Sequence, residues 1–65
     1  MKLTVNDEPV DVDARTTVAD LLQRLGYPDK GIAVAIDWAV IPRSEWDVEL
    51  TEGAKIEVVT AVQGG

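Results

Sequence analysis

Thr17-Val18-Ala19-Asp20-Leu21-Leu22-Gln23-Arg24-Leu25-Gly26 sets Val18, Leu21, Leu22 and Leu25 at i, i+3, i+4 and i+7, the spacing of one helical face. On either side the apolar pattern has period two. Thr17 is placed to cap the helix by accepting from the backbone N–H of Asp20, whose carboxylate lies in the first turn where the helix dipole favours negative charge. Gly26 ends the helix at low conformational cost and Pro28 blocks its continuation, so the spacing predicts a helix over 18–25.

Upstream, residues 2–6 put Leu3 and Val5 on one side and Lys2, Thr4 and Asn6 on the other. Val10 and Val12 alternate with Asp11 and Asp13, and Asn6-Asp7-Glu8-Pro9 between the runs has turn residues, which predicts a β-hairpin. Downstream, residues 31–37 read as a strand with Ile32, Val34 and Ile36 on a bulky face and Ala33 and Ala35 on a flat one. Asp37-Trp38 is expected to turn the chain into a short strand, 39–41, that Pro42 ends or confines to a sheet edge. Ser44-Glu45-Trp46 is expected to form one helical turn capped by Ser44, with Val48 and Leu50 as apolar anchors before a Glu52-Gly53 turn. The last strand, 55–62, turns Ile56 and Val58 inward and Glu57, Val59 and Ala61 outward.

Strand, strand, helix, strand, short strand, strand is an α+β order: a mixed sheet of four to five strands with one main helix packed on one face. If the first and last strands pair centrally and in parallel, the fold is a β-grasp. No internal repeat or linker interrupts residues 1–65, so a single domain is expected.

A chain of 65 residues without cysteine or histidine has neither disulfides nor the usual zinc ligands to reinforce it, and its 46% hydrophobic content must supply a core. No apolar run approaches the roughly 20 residues of a membrane span, and Met1-Lys2-Leu3-Thr4 does not begin a secretory signal. A soluble cytoplasmic protein, monomeric when free, is expected. A net charge of −6 opposes nucleic-acid binding and suits encounter with a basic protein surface as well as plain solubility.

No catalytic residue is assigned, because thiol, imidazole and Ser-His chemistry are all absent and Ser44 is the single serine. The carboxylate groups Asp11/Asp13 and Glu45/Asp47/Glu49, at period-two spacing, are read as solvated strand faces and not as a metal site. Phosphate-binding glycine loops are missing too, so no cofactor is assigned to this chain and any nucleotide belongs to a partner. Trp38 and Trp46 are expected to pack, Trp38 with partial exposure, and Arg43 to pair with a carboxylate near the short helical turn.

What remains is the end, Gly64-Gly65. It reads either as a frayed terminus or as a reactive tail, since glycine lets a partner's backbone approach closely and leaves the carbonyl carbon uncrowded. In a chain without a thiol, the Gly65 carboxylate is the candidate for covalent attachment, with Gly64 and Gln63 threading into a partner. Val59, Ala61, Ala33 and Ala35 would form a flat apolar docking surface on the face opposite the helix.

The Thr17-Val18-Ala19-Asp20-Leu21-Leu22 helix start, the Ile41-Pro42-Arg43-Ser44-Glu45-Trp46 segment and the ending Glu57-Val58-Val59-Thr60-Ala61-Val62-Gln63-Gly64-Gly65 together resemble the ThiS family, ubiquitin-like β-grasp sulfur carriers of thiamin biosynthesis. The resemblance implies that an E1-like adenylating enzyme uses ATP to activate Gly65. It also implies that cysteine-derived sulfur from a donor system converts the tail to a thiocarboxylate, and that thiazole synthase consumes it. Asp37-Trp38 departs from the family's usual Asn followed by a small or polar residue, and Asp20 stands where Glu is usual. A molybdopterin-synthase small-subunit type of carrier is the related alternative, and a ubiquitin-like modifier or plain binding module is the third.

Overall fold

A computed structural model describes residues 1–28 and 30–60. Strands β1 (Lys2–Val5), β2 (Glu8–Asp11), β3 (Ile32–Ile36), β4 (Ala39–Ile41) and β5 (Lys55–Thr60) form one sheet in the order β2-β1-β5-β3-β4, with helix α1 (Val18–Arg24) and a 3-10 turn (Arg43–Glu45) between them. β1 and β5 run parallel, with Thr4 opposite Lys55 and Val5 opposite Ile56, and every other pairing is antiparallel. The first and last strands therefore meet near the middle of a mixed sheet, the β-grasp arrangement that the element order predicts.

The alternation of β1, β3 and β5 and the helical spacing of α1 converge on one core. Leu3, Val5, Val34, Ile56 and Val58 from the sheet meet Val18, Leu21 and Leu22 from the helix, and Trp46, Leu50 and Ala54 close the side. Leu21, Ile56 and Val18 are wholly buried. No helix among the described residues is long and apolar enough to cross a membrane.

The helix start is held from two directions. The Thr17 hydroxyl accepts from the Asp20 N–H at 3.1 Å and the Asp20 carboxylate accepts from the Thr17 N–H at 3.2 Å, a reciprocal capping box. The next donors, the N–H groups of Val18 and Ala19, find the carbonyls of Val48 (3.2 Å) and Trp46 (2.9 Å), while the Leu50 N–H donates to the Thr16 carbonyl at 2.8 Å. The irregular residues 46–50 thus satisfy amides that a helix leaves unpaired at its beginning. At the other end Gly26 adopts a φ of +82°, the left-handed conformation expected of a helix stop.

Several expectations are corrected. The first hairpin turns on two residues, because Val5 already pairs with Glu8 and Asn6 and Asp7 carry φ of 50° and 69°, the positive pair of a type I′ turn. Glu8 and Pro9 belong to β2, where proline is tolerated because β2 is an edge strand. Ser44 does not cap: the 3-10 turn starts one residue earlier, at Arg43, with Pro42 as its cap residue and no side-chain capping bond. Glu45 therefore sits in a helical turn, Asp47 and Glu49 lie outside the strands and Asp13 lies beyond β2, so these carboxylates do not form rows on strand faces. Val48 is exposed and anchors nothing apolar; it contributes its carbonyl instead. Leu25 falls at the helix C-cap and is partly exposed. Trp38 does not pack into the protein: it is 75% exposed, whereas Trp46 is buried with its indole N–H donating to the Ile41 carbonyl at 3.3 Å.

Candidate functional site: the open sheet face and the strand leading to the tail

Residues directly opposite each other on neighbouring strands project from the same face of a sheet. Val58 and Val34 point into the core, so their neighbours point away from it: Val59 lies opposite Ala33, Ala35 lies between Glu57 and Val40, and Lys55 lies opposite Thr4. Val59 and Val40 are both largely exposed, Ala33 is exposed and Ala35 half-buried. The result is an apolar strip across β4, β3 and β5 on the side opposite α1, bordered by Glu57 and Lys55. Ala33, Ala35 and Val59 are brought together as the sequence suggests. Val40 joins them through a register that no local pattern reveals.

The predicted Ala61, Gln63, Gly64 and Gly65 lie outside the described residues, as does 61–62 of the expected last strand. The strand that precedes them in sequence is held on both sides. β5 lies between β1 and β3, and Asn6 secures it: the Asn6 carboxamide oxygen accepts from the Val58 N–H at 2.8 Å and its amide nitrogen donates to the Val58 carbonyl at 3.3 Å. The Asn6 backbone N–H adds a bond of 2.9 Å to the Ile56 carbonyl. A positive φ at Asn6 turns its side chain toward β5 where β1 ends, so the carboxamide continues the ladder as a peptide group would.

At the opposite end of the strip Lys55 ties the two hairpin turns together. Its ammonium lies 3.3 Å from the Asp7 carboxylate and 4.7 Å from the centre of the Trp38 ring. Its backbone is bracketed by Asp37, whose N–H donates to the Lys55 carbonyl at 2.8 Å and whose carboxylate accepts from the Lys55 N–H at 3.1 Å. On the helix side the Arg43 guanidinium stacks 5.5 Å from the Trp46 ring at the edge of a cleft of about 400 Å³ that Leu22, Tyr27 and Pro28 also line. Among the described residues no group of three or more acidic side chains could hold a metal ion.

A two-hairpin, one-helix β-grasp with an open apolar sheet face places the chain among ubiquitin-like proteins. The ThiS family model matches residues 2–65, and the chain belongs to that family. It is 30% identical to the sulfur carrier protein ThiS of Escherichia coli, with complete coverage of both chains. It is also similar to thiazole synthases of Paramagnetospirillum magneticum (35% identity) and Magnetococcus marinus (39%), matching over its whole length but spanning only 20% of theirs. Among solved structures, the crystal structure of a ThiS from Geobacter metallireducens superposes with a TM-score of 0.81 at 29% identity over the full length of both chains.

Proposed function

We propose that this chain is the sulfur carrier for the thiazole of thiamin and not an enzyme in its own right. The Gly65 carboxylate attacks the α-phosphate of ATP on an E1-like adenylating enzyme, expelling pyrophosphate and leaving an acyl adenylate. Sulfur derived from cysteine by a donor system then displaces AMP and leaves a thiocarboxylate. ATP is bound by the partner; the carrier supplies the acyl group and the surface by which it is gripped. Thiazole synthase accepts the sulfur, as a ThiS-like region within two thiazole synthases suggests.

The observation that carries this reading is the position of β5. One central strand bears Val59 on the open face and continues in sequence toward Gly64-Gly65, so docking of the face sets where the tail begins. Ala33, Ala35 and Val40, with Ala61 beyond, complete the grip, and Gly64 and Gln63 supply a narrow, uncharged lead into a partner's channel. Incubation with ATP, the cognate adenylating enzyme and a sulfur source should replace one C-terminal oxygen by sulfur in the intact mass. No mass change with an enzyme proven active, or unchanged conversion after deletion of Gly65, refutes the reading.

A further inference from the structure

The β3–β4 turn combines two unfavourable features in one residue. Ile36 pairs with Ala39, so Asp37 and Trp38 form a two-residue loop with φ of 49° and 74°. The second position of such a turn favours glycine, and a bulky side chain there strains the backbone. That strained residue also exposes 75% of an indole to water. Neither cost is offset by the core, since Trp38 has no part in it. The Lys55 ammonium lies 4.7 Å from the ring centre, and Lys55 itself pairs with Asp7. A cation fixed over an aromatic ring limits the orientations of that ring. Strain retained at an exposed position points to function.

We infer that Trp38 is an aromatic anchor for thiazole synthase, extending the docking strip and setting which synthase the carrier fits. The inference rests on the sulfur-carrier reading above. Lys55 lies on the open face of β5, the same strand and face as Val59, so the ring it contacts borders the strip. Tryptophan dominates binding energy when it enters a partner's pocket because it buries a large area at the expense of few rotamers. The receiving surface is an apolar slot with an acceptor for the indole N–H, rimmed by basic groups that complement a carrier of net charge −6.

Trp38→Gly separates the anchor from the scaffold, because glycine adopts the turn's positive φ readily. Its Tm should be no lower than the parent's, while its Kd for the cognate thiazole synthase rises by about tenfold or more. In the parent, acrylamide quenching of the Trp38 fluorescence, taken as the component missing from the variant, should fall when the synthase binds. Equal affinity of parent and variant, unaltered quenching in the complex, or a loss of affinity confined to the adenylating enzyme overturns the anchor. So does a parent dimer, seen by sedimentation, that the substitution dissolves. If the parent acquires no sulfur, the carrier reading fails first and the anchor with it; if the parent is converted and Trp38→Gly still binds normally, only the anchor fails.

Discussion

Asn6 and Val58, 52 positions apart, are joined by both hydrogen-bonding functions of one carboxamide, which accepts from the Val58 N–H and donates to its carbonyl. The first hairpin turn is thereby a clamp on the strand that leads to the tail. Asn6→Ala removes both bonds, each worth about 1 kcal/mol, and keeps a β-carbon at positive φ without the local side-chain hydrogen bonding that lets asparagine tolerate it. Asn6→Gly loses the bonds alone and should be less destabilised by about 1 kcal/mol. Urea unfolding checks the ranking, and faster hydrogen exchange at Val58 in both variants checks the cause.

Thr17→Ala should lower stability by about 1 kcal/mol, as loss of a helix cap usually does. In a domain of this size that is a fall in Tm of about 4–8 °C. Thr17→Ser should recover most of it, since the hydroxyl that accepts from Asp20 is retained. Calorimetry of the three proteins distinguishes capping from a general packing defect.

Leu21 is fully buried between α1 and the sheet, so Leu21→Ala should cost about 2–5 kcal/mol. A 65-residue protein at about 0.05–0.15 kcal/mol per residue has about 3–10 kcal/mol in all, so a large share is lost. The denaturant midpoint should fall sharply with little change in slope.

Val59→Asp tests the docking face without disturbing the core, because Val59 is 63% exposed and sits opposite Ala33. Far-ultraviolet circular dichroism and Tm should remain near the parent's. Affinity for the adenylating enzyme of the proposed cycle, measured by titration calorimetry, should fall about tenfold or more as an unpaired carboxylate is carried into an apolar contact.

Where periodicity spans two turns or a full strand it identifies the buried face, although Leu25 at i+7 falls at the helix C-cap and is partly exposed. Val18, Leu21 and Leu22 marked the helix face, and Ile56 and Val58 the inward side of β5. Position-specific chemistry misled in shorter segments. Pro9 looked like a turn residue because edge status, which excuses proline in a strand, is a property of the whole sheet. Val48 and Leu50 share a parity that implies a common face, but residues 46–50 follow the needs of the helix amides and leave Val48 outside. Of the candidate surface, Ala33, Ala35 and Val59 were legible from alternation. Val40 depends on the β3–β4 register, and the isolation of Trp38 depends on a turn conformation that its residue type disfavours.

The parallel pairing of β1 with β5 has a consequence for synthesis. Thr4 must wait for Lys55, so the central ladder closes across nearly the whole chain, and such long-range contacts form late. A nascent or prematurely ended chain that lacks β5 therefore lacks the middle of its sheet as well. Such a product would be recognisable to proteases as unfolded, and would not persist as a well-formed domain.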